Sequence, residues 1–286
     1  MILVTGATGN AGSAVVRALV AAGEPVRALI RDAGRRSALP SGVEGVVGDL
    51  NSAETLAPAL EHVEAVFLLS GYDGLQDALA RMPGAGVQRV VLLSSSAAPS
   101  GDERNAIARY HILSEDAVRA SGLPWTFLRP NSFMSNALQW APQIRSGDTV
   151  RAPFAAVPVA MIDPDDIGAV AACALTSDTH RGQAYRSSGP APLLPAERVR
   201  ILADVLRRDL RFEAIPDEEA RVQMSATMPP EYVDAFFDFF VDGNLDESEV
   251  VPAVADVTGR QPRSFEHWAA AHAGDFASAH PEEGPS

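Results

Sequence analysis

The eight residues Thr-Gly-Ala-Thr-Gly-Asn-Ala-Gly at positions 5–12 constrain this chain more than any other stretch. They follow the apolar run Ile2–Val4, which reads as a buried strand. They lead into the amphipathic run Ala11–Ala22, which reads as a helix. Gly6 permits a tight turn, and Gly9 lets the backbone approach a pyrophosphate with no β-carbon in the way. Gly12 lets the helix lie close to the strand. The helix start offers free N–H groups and partial positive charge to phosphates. A three-glycine pattern alone is a weak signal. Placed between strand and helix at the opening of a βαβ unit, it predicts dinucleotide binding, with Gly6, Thr8, Gly9, Asn10, Ala11 and Gly12 at the phosphates.

The same alternation continues. Apolar, β-rich runs at Val26–Ile30, Val43–Val47, Ala65–Leu69, Val90–Leu93 and Trp125–Leu128 are separated by helical stretches at Ala53–Leu60, Leu75–Met82 and Arg104–Ser121. A short polar segment after Arg31 predicts only a minor helix there. Continuous apolar strands between helices indicate an α/β fold, a doubly wound parallel sheet of the Rossmann type with ligands at the carboxyl ends of its strands. Residues 1–150 are expected to form this dinucleotide-binding domain and residues 151–276 a smaller α+β substrate domain, with 164–188 packing back on the sheet. In the second part, "DTVRAP", "AAVPVAMID", "GQAYRSSG" and "LRFEAI" read as strands, and "PAERVRILADVLRRD" reads as an amphipathic helix. "DPDDIGAVAACALT" reads as a helix capped by Asp163. The aromatics Tyr232, Phe236, Phe237, Phe239 and Phe240 lie close to helical spacing, suiting core packing or the wall of an apolar pocket. The polar tail 277–286 is expected to fray.

The end of the second strand selects the nucleotide. An NAD site often carries an acidic residue there for the ribose 2′-hydroxyl. This chain has Arg31, whose guanidinium suits a 2′-phosphate, with Arg35 or Arg36 to assist, so NADP(H) is the expected cofactor. Asp32 is the competing ribose partner. Asp49 and Leu50 are positioned to border the adenine, and Leu69 and Ser70 to lie near the middle of the cofactor. Ser94, Ser95 and Ser96 follow the fifth strand near the nicotinamide, unless they serve as turn or cap residues.

Composition removes several function classes. A net charge of -14 repels nucleic-acid backbones and anionic membrane surfaces, so neither is an expected partner. The single cysteine, Cys173, excludes an internal disulfide. With no targeting or membrane-spanning run, it suits the cytoplasm. The histidines show no compact ligand spacing, so no metal site is expected. No Gly-x-Ser-x-Gly elbow occurs, which argues against a serine hydrolase.

With these residues in place, the chain resembles the short-chain dehydrogenase superfamily, and more closely its atypical NmrA-like group. "VTGATGNAG", "VRALIRD", "GDL", "AVFLLS", "VVLLSS", "ASGLPWTFLRPNSFMSN", "DPDDIGAVAA" and "TGRQPRSFEHWA" carry the resemblance, in that order, over nearly the whole chain. It implies NAD(P)H-dependent quinone- or azo-reductase chemistry, or a redox-sensing regulator. In that group the turn after the sixth strand borders the nicotinamide. This places Pro130 and Asn131 at the cofactor and Phe133 and Met134, with Ser96, on the substrate side. Asn131 could equally cap the following helix.

One departure matters for mechanism. Short-chain dehydrogenases use a Tyr-x-x-x-Lys pair, but here Tyr110 precedes Ser114 at that spacing and the chain contains no lysine. The group often places a lysine or histidine four residues before a glutamate, which His111 and Glu115 match. His111, near its ordinary 6.5, is then the expected proton donor with Tyr110 beside it, or else a surface partner of Glu115. Quinone-like and other conjugated aromatic acceptors depend least on a dedicated acid. The expected activity is therefore their NADP(H)-dependent reduction, in bacterial secondary metabolism. Two alternatives stand: a non-catalytic NADP(H) sensor with a regulatory protein partner or a homodimeric form, and a biosynthetic enzyme that uses the cofactor without net redox change.

Overall fold

The fold is described from a computed structural model covering residues 1–277. Nine strands occur among these residues. They are β1 (Ile2–Val4), β2 (Val26–Ile30), β3 (Glu44–Val47), β4 (Ala65–Leu69), β5 (Arg89–Leu93), β6 (Trp125–Pro130), β7 (Thr149–Ala152), β8 (Gln183–Ser187) and β9 (Arg211–Ala214). Seven of them form one sheet in the order β3-β2-β1-β4-β5-β6-β8, every pair parallel. The order reverses at β1, which opens a crevice at the carboxyl ends of β1 and β4. β7 and β9 pair, also in parallel, as a separate two-stranded sheet.

The helices of the first part are α1 (Asn10–Ala21), α2 (Ala57–Leu60), α3 (Leu75–Arg81) and α4 (Ala106–Ala120). Then follow α5 (Ala141–Ser146), α6 (Pro164–Thr176), α7 (Pro195–Leu206), α8 (Asp217–Ser225) and α9 (Pro230–Phe240). The last three are α10 (Ala253–Thr258), α11 (Phe265–Ala271) and α12 (Ala273–Phe276). α1 and α6 cover one face of the large sheet, burying Val15, Leu19, Ile167 and Val170 against Val4, Phe67 and Val91. α2, α3 and α4 cover the other, around Leu68, Leu92 and Phe127. Strands buried on both faces account for the near-continuous apolar runs of β1, β2 and β4. A third core, around Trp140, Ile144, Leu202, Phe265 and Trp268, joins α5, α7 and α11.

α6 starts where the sequence predicts, with Asp163 accepting a hydrogen bond from the Asp165 amide (2.9 Å). It lies directly on α1: a Cβ at Gly168 would sit 2.6 Å from the carbonyl carbon and oxygen of Ala14. Its buried Asp166 accepts from the Arg263 amide (2.7 Å) and pairs with Arg260 (3.1 Å), so two distant sequence motifs meet.

Several expectations change in detail. The segment after Arg31 is a 3-10 turn, Ala33–Ala38. The stretch Ala53–Leu60 divides into a 3-10 turn and α2, with Pro58 in the first turn of α2. "AAVPVAMID" forms no strand but contributes single bridges, Val159 to Leu193 and Ile162 to Phe133, while the Ala160 amide bonds to the Glu247 carbonyl. Its backbone groups are satisfied by irregular neighbours rather than by a ladder. α8, α10, α11 and α12 lie in stretches not assigned from sequence. The expected frayed tail lies, from residue 278 on, outside the described residues.

Candidate functional site

Two cavities lie side by side at the carboxyl end of the large sheet. The first, about 600 Å³, is lined by Gly6, Thr8, Gly9, Asn10, Ala11 and Gly12, by Arg31, Asp32 and Arg35, by Asp49 and Leu50, and by Leu69, Tyr72, Leu93 and Phe133. The glycine loop is built as its sequence requires. Gly6 has φ +61°, and a Cβ there would lie 2.5 Å from Leu69 Cδ1. A Cβ at Gly12 would lie 2.1 Å from the Gly6 carbonyl oxygen. The N-cap of α1 is Gly9, which has no side chain to cap with, so the first-turn amides face the cavity without a protein acceptor supplied by the cap. A helix start with uncapped amides on a cavity wall has the donors and partial positive charge that suit an anionic diphosphate.

At the end of β2 the arginines separate. Arg31 and Arg35 line the cavity and have no ion-pair partner among the described residues. Arg36 turns instead to the Gly45 carbonyl (3.3 Å). The Asp32 carboxylate accepts from the Gly34 amide (2.9 Å) and caps the 3-10 turn, which leaves the guanidiniums as the free charges at this end. Tyr72, absent from the sequence-based set, joins the lining.

Other expected ligands are committed elsewhere. Ser70 Oγ donates to the Leu93 carbonyl (2.7 Å), Ser94 Oγ to Glu115 (2.7 Å), and Ser95 Oγ accepts from the Ala97 amide (3.1 Å). The Pro130 carbonyl accepts from the Ser96 amide (3.0 Å). Asn131 neither caps a helix nor reaches a cavity. Its buried amide donates to the carbonyls of Ala160 (3.3 Å) and Glu247 (3.0 Å). Met134 is buried in the core around Trp140 rather than on a cavity wall, whereas Phe133 lines the first cavity.

The expected proton donors, Tyr110 and His111, line neither cavity. Burial drives the His111 imidazole down to about 4, and Nδ1 is sealed from solvent without a partner, so the ring is neutral at pH 7. Nor does Glu115 pair with it. Glu115 accepts from Ser94, from both Arg129 Nε (2.8 Å) and Nη2 (2.6 Å), and from Arg119 (2.9 Å). Burial alone would raise this carboxyl, but the hydrogen bonds of Arg129 and Ser94 and the two arginine charges outweigh it and hold it below its ordinary value. Glu115 thereby ties α4 to the ends of β5 and β6. Tyr110 packs on Gly71, and burial, with Tyr232 adding, pushes its phenol up, making it a weaker acid.

The second cavity, about 730 Å³, opens beside the first. Phe154, Met224, Met228, Phe236 and Phe240 give it an apolar wall, and Ser132, Ser135, Gln139 and Arg198 supply polar groups. The aromatic stripe of α9 therefore divides its roles. Phe237 and Phe239 pack into cores, while Phe236 and Phe240 face the cavity. The segment after β6 joins the two cavities: Phe133 lines one, Ser132 and Ser135 the other. The side-chain Nδ2 of Asn10 in the glycine loop donates across to Ser135 Oγ (2.7 Å).

Behind that segment lies a residue not anticipated from sequence. Glu247 is 5% exposed. Its Oε1 accepts from the Ser132 amide (3.0 Å) and from Ser96 Oγ (2.6 Å), and its Oε2 lies 2.5 Å from Ser132 Oγ. Burial raises its carboxyl, and the hydrogen bonds of Ser132 and Ser96 offset this only in part. Among the described residues no cluster of three His, Cys, Asp or Glu side chains could hold a metal, and no helix is long and apolar enough to cross a membrane.

Comparison with known proteins agrees with this geometry. A family model described as "NmrA-like family" matches residues 1–269. A Streptomyces griseus protein named (4-alkanoyl-5-oxo-2,5-dihydrofuran-3-yl)methyl phosphate reductase is 43% identical, over 97% of this chain and 99% of its own length. An NAD(P)H azoreductase of Xenophilus azovorans is 37% identical over 98% of this chain and 100% of its own. Among solved structures, an NADPH-dependent quinone oxidoreductase of Escherichia coli superposes with a TM-score of 0.78 at 20% identity, over 95% of this chain and 99% of that one. At that identity the likeness establishes the fold.

Proposed function

Because this chain belongs to the NmrA-like family, we propose that it is an NADP(H)-dependent reductase of quinone-like or other conjugated, electron-poor acceptors. The observation that carries this reading is the junction of the two cavities at Ser132–Ser135. One cavity has the amides and guanidiniums for a nucleotide diphosphate and a 2′-phosphate. The other has apolar walls for a planar acceptor, and Phe133 lines the first cavity within the joining segment. The names of the azoreductase and the dihydrofuranyl phosphate reductase support it.

When bound, the reduced nicotinamide supplies the hydride. The chain's own work is to hold the diphosphate on Gly9–Gly12, to select the 2′-phosphate through Arg31 and Arg35, and to keep the acceptor against Phe236 and Phe240. It also supplies a proton. Ser132 Oγ donates to Oε2 of the ionised Glu247 carboxylate; because Oε1 already takes two donors, a proton on this carboxyl sits on Oε2 and the bond to Ser132 Oγ reverses. The Ser132 hydroxyl, which lines the acceptor cavity, is then free to donate its own proton to the reduced acceptor and to refill from Glu247. This pair takes the role that Tyr110 and His111 do not fill.

NADPH oxidation by the purified protein, followed with menadione and with an azo dye, tests the reading. Turnover well above a protein-free control is expected. Saturable NADPH binding without turnover of either acceptor would overturn it in favour of a cofactor sensor.

A further inference from the structure

The acceptor cavity contains one charged side chain, Arg198, and no Asp or Glu. That is unusual in a chain whose net charge is -14. Arg198 lies in the first turn of α7, where Glu197, its neighbour, is engaged with the Leu194 amide (2.8 Å). Among the described residues no carboxylate pairs with Arg198. Its guanidinium lies over the Trp140 ring (5.2 Å to the centroid), and Nη1 approaches Met161 Sδ (2.9 Å). Nε is sealed from solvent with no hydrogen-bond partner. Burial alone lowers this guanidinium, to about 10, which leaves it fully charged at neutral pH.

A thioether and a ring face are weak partners for a desolvated cation. Arginine elsewhere in this chain is paired wherever it is comparably withdrawn: Arg27 with Glu44, and Arg129 with Glu115. A guanidinium whose one hydrogen-bond acceptor is a thioether, on the wall of a cavity, suits a phosphate or carboxylate. We propose that the acceptor carries such an anionic group next to its apolar body, and that Arg198 binds it. The proposal rests on the larger cavity being the acceptor site. Trp140 and Met161 fix the guanidinium plane, while Met224, Met228, Phe236 and Phe240 across the cavity hold the apolar part.

A matched series tests this without turnover. 2-Naphthyl phosphate, 2-naphthoate and 2-naphthol are titrated by calorimetry into the NADP⁺-saturated protein. At least one anion should bind roughly tenfold or more tightly than naphthol, the gain expected of a charge-assisted contact. The ranking of the two anions distinguishes a phosphate-bearing from a carboxylate-bearing acceptor. Arg198→Met should bring all three ligands to similar affinity, and Arg198→Lys should restore part of the preference. Each variant should keep the wild-type rise in melting temperature with NADPH. If Arg198→Met does not fold, Arg198→Gln makes the same comparison. Equal binding of all three ligands by the wild type, or an anion preference that survives loss of the charge, would overturn the proposal. Menadione turnover is measured separately, so a failed reductase reading and a failed Arg198 assignment give different results.

Discussion

Ser132 and Glu247, 115 residues apart in sequence, meet at 2.5 Å behind the segment that joins the two cavities. A raised carboxyl in this position is protonated at low pH and ionises as pH rises through its folded value. Catalysis that uses its proton should therefore fall on the alkaline side. Glu247→Gln keeps the shape and can still donate to Ser132, but it has no acidic proton to pass on. With acceptors that must be protonated, kcat should fall by about 10²-fold with little change in KM, and the alkaline limb of the kcat–pH profile should move or disappear. An unchanged kcat and profile would assign the proton to water.

His111 gives a prediction of opposite sense. Its imidazole is held down at about 4 by burial. A group depressed on folding contributes stability that is fully present above its unfolded value, about 6.5, and is lost as pH falls through the folded one. His111→Leu should therefore lessen the acid loss of stability between those values, by an amount of order 1–3 kcal/mol. Turnover at pH 7 should stay within about threefold of wild type. Melting temperatures across pH 4–7 and a single activity assay at about pH 7 check both.

The proposed 2′-phosphate site lies at the end of β2, where Arg31 lines the smaller cavity. Arg31→Gln should weaken NADPH binding by roughly ten- to a hundredfold, the contribution of one charge-assisted contact, and leave NADH binding nearly unchanged. Calorimetry with both nucleotides decides it. Equal losses for the two would mean that Arg31 does not recognise the 2′-phosphate.

The glycine loop tolerates little change. At Gly12 an added Cβ would meet the Gly6 carbonyl oxygen at 2.1 Å, and the contact is backbone, with no flexible end to yield. Gly12→Ala should cost about 1–3 kcal/mol of stability and abolish the NADPH-induced rise in melting temperature. Gly147→Ala, where a Cβ meets nothing within 4 Å, is the control and should change neither measurement.

Local signals in the sequence were enough for β1, the turn of the glycine loop and α1, for the place of Arg31 beside the smaller cavity, and for the Asp163 cap of α6, because each depends on neighbours a few residues away. The acceptor side was less legible. Glu247 lies in an acidic, irregular stretch and reads as solvated; only its long-range contacts with Ser96 and Ser132 show otherwise. Arg198 reads as the polar face of an amphipathic helix, and Trp140 and Met161 reveal its setting. Ser94 and Asn131 stand at strand ends where ligands bind, yet a hydrogen bond to the Glu115 carboxylate and two buried carbonyls occupy them. Position along a strand is local information, whereas the partner that captures a side chain is not.

Much of the wall facing the acceptor comes from one contiguous stretch: Ile215, Ala220, Met224, Met228, Phe236 and Phe240 lie between positions 215 and 240, on α8, α9 and their flanks. None of these residues lines the nucleotide cavity. Substitutions confined to this stretch would thus recontour the apolar side of the larger chamber and leave untouched both the glycine loop and the polar groups contributed by Ser132, Ser135 and Arg198.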